Sequence, residues 1–171
     1  MRFTLFSLLA VLAFPSFATE APLEIVSGEI DAVSYMRLEK QVNKWGSDLR
    51  VMLRSHGGNV DSALKMGELV QKFNVTVYAL DYCESACSIV FGAAHKRIAL
   101  DDARIGVHNY AWVNSGEPLP LSDSSYQDTL NLWTKSLGDR EAKKWMLDAW
   151  TTPPTSMFYV SDGYTRVSTQ K

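Results

Sequence analysis

Residues 85–94 constrain the fold of this chain more than any other stretch. They read Ser-Ala-Cys-Ser-Ile-Val-Phe-Gly-Ala-Ala, small and apolar throughout and without a charge. A run with no polar face to offer to water predicts a buried helix. Before it, residues 75–80 form a β-rich run, joined to it by a short polar turn at residues 81–84. A strand feeding a fully buried helix needs a sheet on one side of that helix and further helices on the other.

The rest of the chain supplies those partners. A first strand is predicted around residues 23–26. Residues 31–45 have helical spacing in Val33, Met36, Leu38 and Val42, and Gly46 ends that helix. Residues 49–54 alternate as a strand, and residues 55–58 read as a turn. Asp61 is placed to cap the next helix, with Leu64, Leu69, Val70 and Phe73 on one face. Two short strands are predicted at residues 97–100 and 104–108, around Asp101-Asp102, and then a loop at residues 116–120. Helices at residues 123–137 and 140–150 flank Gly138. Pro153-Pro154 stops the second of them, and residues 157–160 suggest a last strand. Strand and helix in alternation argue for an α/β domain with a mostly parallel sheet and covering helices.

The amino terminus reads differently. Arg2 precedes an apolar stretch, residues 3–14, that is too short to span a bilayer. Pro15 breaks it, and Ser16-Phe17-Ala18 puts small residues at the positions a signal peptidase reads. The expectation is a signal peptide, residues 1–18, cleaved after Ala18; an uncleaved anchor or a buried strand are the alternatives. Residues 19–171 then form one domain, periplasmic or otherwise secreted, with no later segment suited to crossing a membrane. The chain has 171 residues and a formal net charge of −2, without a basic run, so no nucleic-acid partner is expected.

Three motifs carry chemistry. Arg54-Ser55-His56-Gly57-Gly58-Asn59-Val60 is a strand ending in a double glycine that opens a helix. Cys83-Glu84-Ser85-Ala86-Cys87-Ser88 is a strand-to-helix turn with a serine at its centre. Residues 96–108 end in His108. Taken alone, a serine at a helix start is more often an N-cap than a nucleophile, a double glycine is often only a tight turn, and His108 fits an ordinary strand histidine. In this order and spacing, the three motifs resemble the proteolytic subunit of the Clp protease, and more closely the small exported Clp-like proteins of bacteria.

The resemblance implies a ClpP/crotonase-like fold of repeated β-β-α units, with residues 123–150 as a helical handle suited to self-association into a homo-oligomer. It implies a serine hydrolase, most simply a peptidase acting on extended peptide, with Ser85 as nucleophile and His108 as base. The backbone N–H of Gly58 or of Gly57, with that of Ala86, would form the oxyanion hole. His56 stands where the family usually has proline. The family's third residue, an aspartate, has no counterpart: Thr155, Ser156, Met157 and Phe158 precede Tyr159-Val160-Ser161, and Asp148 and Asp162 do not match the motif. Either Ser85 and His108 act as a dyad, or a hydroxyl of Ser156 or Thr155 orients His108, or the fold is kept as a peptide- or partner-binding module without hydrolysis. A crotonase-like reaction on an acyl-thioester is a further alternative, disfavoured by the Ser–His pair. No cofactor is expected.

Cys83 and Cys87 bracket Ser85 and are the chain's two cysteines. In an exported protein they favour a disulfide across the turn; two small buried side chains are the simpler alternative. Zinc held by both cysteines and His56 or His108 lacks the usual ligand spacing, and no metal is expected.

Overall fold

A computed structural model describes residues 21–112 and 114–169. The expected signal peptide lies outside the described residues. The elements are β1 (Leu23–Ile30), α1 (Ala32–Trp45), β2 (Arg50–Gly58), α2 (Val60–Lys72), β3 (Thr76–Glu84), α3 (Ala86–Ala93), β4 (Lys96–Leu100), β5 (Arg104–Val107), α4 (Ser124–Leu137), α5 (Asp139–Thr151), β6 (Phe158–Val160) and β7 (Thr165–Val167). The architecture is mixed α/β with a mostly parallel sheet.

Local chemistry sets the helix boundaries. Asp31 caps α1, its carboxylate accepting the N–H of Ser34 at 2.7 Å while the Ser34 hydroxyl takes the N–H of Asp31. Gly46 ends α1 at φ +55, as its position predicts. Helix α2 is capped by Asn59, whose side chain accepts from Ser62 N–H at 2.8 Å. Asp61, the expected cap, instead lies in the first turn, where its charge suits the helix dipole. Of the four apolar residues expected to face inward on α1, Leu38 and Val42 are buried, while Val33 and Met36 are more than half exposed. Lying over the edge strand β1, α1 needs only a narrow apolar stripe.

The sheet runs β1-β2-β3-β4-β7, with β5 paired to β3 and β6 to β5. All pairings are parallel except β5–β6. Parallel neighbours need a crossover, which is why strand and helix alternate through α3. Among the described residues, strand–strand–helix, the unit implied by the resemblance, occurs once, as β4–β5–α4. Helix α3 is buried from end to end and lies among α2, α4 and β2. Removing one of its large side chains from water, such as Phe91, contributes about 2 kcal/mol. Trp133 and Trp145 meet edge to face at 5.5 Å and close the core behind it.

Two expected turns are strand instead, and both shape the site. Residues 55–58 continue β2, because Glu29 and Ile30 of β1 pair with Gly57 and Gly58. Residues 81–84 continue β3. The first half of β3 (Thr76–Ala79) pairs with β4, and its second half (Tyr82–Glu84) pairs with β5. The strand changes partner near Asp81, which takes φ +60. Strand β7, which the sequence did not suggest, adds to β4.

Candidate functional site

Ser85 sits between the end of β3 and the start of α3, with φ +54 and ψ −128. A non-glycine residue costs of order 1–3 kcal/mol in such a region, and it persists only where the surroundings hold it. Its N–H donates to the Gly106 carbonyl at 2.9 Å, and its own carbonyl accepts the Ser88 hydroxyl at 2.7 Å and the Ser88 N–H at 2.9 Å. The Ser85 side chain makes no capping hydrogen bond. The ordinary explanation for a serine at a helix start is therefore absent here.

Gly57 is packed against this turn. A Cβ on Gly57 would stand 2.6 Å from the Ser85 Cβ and 3.0 Å from the Ala86 nitrogen, so only glycine fits without displacing the turn. Gly57 and Gly58 take φ +110 and +142. The Gly57 N–H is already engaged, donating to the buried Ser55 hydroxyl at 3.0 Å. Gly58 leads directly into Asn59, the cap of α2, whose N–H donates to the Ile30 carbonyl at 2.7 Å. Ala86 is the first residue of α3, where backbone N–H groups have no partner within the helix.

His108 follows the last residue of β5, and Ser85 follows the last residue of β3. The two strands are parallel neighbours, with Glu84 opposite Gly106, so both residues emerge at the same end of the sheet. His108 Nδ1 lies 2.7 Å from the Asn109 carbonyl oxygen. A carbonyl only accepts, so Nδ1 carries the hydrogen and Nε2 the lone pair. Burial pushes the His108 pKa below its usual value, partly countered by the Asn109 carbonyl and the negative charge of Glu84. Burial thus favours the neutral imidazole, and the Asn109 carbonyl selects the tautomer a general base requires.

The segment that presents His108 is fixed from behind. The Asn109 N–H donates to the Thr152 carbonyl at 2.9 Å, and its side-chain oxygen accepts the Tyr126 hydroxyl. Tyr110 stacks on Tyr126 at 4.7 Å and donates to Thr129 at 2.8 Å. Helices α4 and α5 therefore set where the histidine stands.

No carboxylate stands at His108 Nδ1, and its partner is not a hydroxyl of Thr155 or Ser156 but a backbone carbonyl. Asp162 pairs with Lys144 at 2.6 Å. Asp148, on α5, has its pKa raised chiefly by burial. Cys83 and Cys87 are joined by a disulfide, with Cα atoms 5.2 Å apart. His56 lies on β2, its side chain largely exposed, stacked on Tyr82 at 4.0 Å with its Nδ1 2.6 Å from a Glu84 oxygen. His95 is exposed. Sequence reasoning missed Glu84, Asn109 and Tyr126. No local signal marked Glu84, since the alternation of β3 breaks at Asp81 and both Cys83 and Glu84 are buried, and a backbone carbonyl leaves no trace in side-chain identity. Among the described residues there is no cluster of three or more His, Cys, Asp or Glu suited to a metal, and no helix long and apolar enough to cross a membrane.

No family model matches the chain, and no curated protein matches it. Solved structures do. ClpP1 from Listeria monocytogenes superposes with a TM-score of 0.65 at 17% identity, over 86% of this chain and 92% of that one. A point mutant of the same protein gives 0.65 at 18% identity, over 88% and 93%. At this identity the likeness is one of fold, and the fold is that of ClpP.

Proposed function

We propose that this chain, built on the fold of ClpP, is an exported serine hydrolase acting on extended peptide, with Ser85 as nucleophile and His108 as base. The observation that carries the reading is Ser85 itself: a strained residue at a helix start, without a capping bond, against which a glycine is packed. In the proposed reaction the Ser85 oxygen attacks a peptide carbonyl and its proton passes to His108 Nε2. The carbonyl oxygen takes the negative charge, facing the N–H groups of Ala86 and Gly58. The Gly57 N–H is spent on Ser55, which favours Gly58 as the second donor. His108 then gives the proton to the leaving amine as the C–N bond breaks, and water hydrolyses the Ser85 ester by the same steps in reverse. The substrate chain would add as a strand beside the site, so that backbone contacts outweigh side-chain preference. The export signal, a soluble periplasmic location and self-association through α4 and α5 belong to the same proposal.

A second reading rests on one observation. His108 is oriented by a neutral carbonyl rather than a carboxylate. A carbonyl fixes the tautomer, whose loss costs a serine protease about 10⁴ in kcat, but it lends no full charge to the imidazolium. A peptide-binding module with residual or no turnover follows from that. Labelling with a fluorophosphonate separates the two: the hydrolase reading expects a covalent adduct on the peptide containing Ser85, abolished in Ser85→Ala and His108→Ala. Folded, oxidised wild-type protein that never labels would favour the binding module, to be tested by peptide affinity.

A further inference from the structure

Glu84 precedes Ser85 and is a buried carboxylate, 7% exposed, to which the hydrolysis steps assign nothing beyond its charge near His108. It lies in a row that crosses four strands. Ser55 pairs with Cys83, which brings the next residues, His56 and Glu84, side by side; Glu84 pairs with Gly106, and Gly106 with Tyr159. The Glu84 carboxylate reaches both ways along this row. One oxygen lies 2.6 Å from His56 Nδ1, and the other accepts the Tyr159 hydroxyl at 2.9 Å. Gly106 keeps the path open, since a Cβ there would stand 3.0 Å from Glu84 Cγ. The ends of the row are braced: the His56 ring stacks on Tyr82, and the Arg104 guanidinium lies 5.0 Å from the Tyr159 ring centre. The bond to Glu84 also holds the Tyr159 phenol above its usual pKa.

Backbone pairing holds Ser85 on the β5 side, through the Gly106 carbonyl, but stops short of it on the β2 side. Pairing between β2 and β3 shifts register between Leu53 and Ser55 and ends at Ser55–Cys83. Gly57 and Ser85 both lie beyond that last rung. The strand that carries the glycine pair and the strand that carries the serine are linked past it by the His56–Glu84 contact.

Resting on the hydrolase reading of the same site, we propose that Glu84 is a positioning residue, holding the Ser85 turn in register with Gly57 and Gly58 through its two bonds to His56 and Tyr159. It acts through Ser85 and Ala86 and need not touch substrate. Removing both bonds lets the turn shift against the glycines, and a misplacement of about 1 Å costs about 100-fold in rate.

The test compares the mature wild-type protein with Glu84→Leu, Glu84→Gln, His56→Ala, Tyr159→Phe and the double variant of the last two. The probe is a fluorophosphonate, read as a maximal inactivation rate and a half-saturating concentration. Glu84→Leu keeps the bulk and loses both acceptors. It is expected to lower the maximal rate by about 100-fold and to leave the half-saturating concentration unchanged. Glu84→Gln, which retains one acceptor, should recover part of that loss. The double variant should match Glu84→Leu rather than exceed it, because both partners act through one carboxylate. Amide hydrogen exchange at Ser85 and Ala86 should quicken in Glu84→Leu while α4 and α5 keep their protection. A folded Glu84→Leu protein that labels and exchanges as the wild type does would overturn the proposal. Wild-type protein that never labels removes the hydrolase reading alone; exchange at Ser85 and Ala86 then decides the positioning role by the same criterion. Should Glu84→Leu fail to fold, His56→Ala and Tyr159→Phe carry the same comparison from the more exposed ends of the row.

Discussion

At the residue scale, the conformation of Ser85 and the ionisation of His108 are the two features with direct consequences. Ser85 holds φ +54 and ψ −128 with its side chain outside any cap. Ser85→Gly should relieve that strain and raise the unfolding free energy by about 1 kcal/mol, measured in urea, while abolishing any labelling. A serine placed there as an N-cap would give the opposite sign. For His108, burial lowers the folded pKa below the ordinary 6.5. A base must be neutral, so activity should be full at neutral pH and fall on an acid limb centred below 6.5. The stability effect has the same direction. The unfolded chain takes up a proton on His108 at a higher pH than the folded one does. This group's contribution therefore weakens as pH falls from the ordinary value through the folded one. A pH profile of fluorophosphonate labelling with an acid limb above 6.5 would remove burial as the dominant influence on His108.

At the element scale, α3 carries the site on a helix that touches little but protein. Gly92 on α3 faces the indole of Trp133, and a Cβ there would lie within 2.7 Å of Trp133 Cδ1. Gly92→Ala should destabilise the protein by roughly 1–3 kcal/mol, read as a lower midpoint in thermal unfolding, because the buried indole has no room to retreat. The start of α3 is tied to β3 by the Cys83–Cys87 disulfide, which closes a loop with a sequence separation of 4. A loop this short limits the entropic gain to about 2 kcal/mol. Reduction should therefore lower stability by no more than that, and its larger effect is expected locally, as faster amide exchange at Ala86 and Cys87. Loss of protection throughout the molecule on reduction would show that the bond holds the whole fold rather than one turn.

On the scale of the whole molecule, no hydrogen bond or ion pair among the described residues joins Asp148 or Asp162 to His108. Asp162 is committed to Lys144, and Asp148 sits on α5 with its backbone carbonyl accepting from Thr152. Asp148→Asn and Asp162→Asn should leave Ser85 labelling unchanged, although Asp162→Asn removes an exposed ion pair with Lys144. Loss of labelling in either variant without unfolding would mean that a carboxylate reaches His108 by a route other than the one described. The exported form is expected to begin at Thr19 and to lack the hydrogens of both thiols, which intact mass before and after reduction measures.

The sequence by itself determined the order of elements from β1 to β6 and the burial of α3, while only the family resemblance implied that three motifs share one site. The first two are matters of local periodicity and composition: an apolar run with no polar face can only be inside. It also favoured the disulfide, on the expectation of export, over two small buried side chains. Residues 55–58 and 81–84 looked like turns because their composition is turn-like. They are strands because neighbouring strands supply hydrogen-bond partners that no local window contains. The orienting partner of His108 was open between a hydroxyl of Ser156 or Thr155 and none at all. Tertiary structure settled it with the Asn109 carbonyl, a group every residue has and no sequence distinguishes. Glu84 gained its two partners because three separate strands meet around it, and side chains 28 and 75 positions away can be brought to one carboxylate only by the folded sheet.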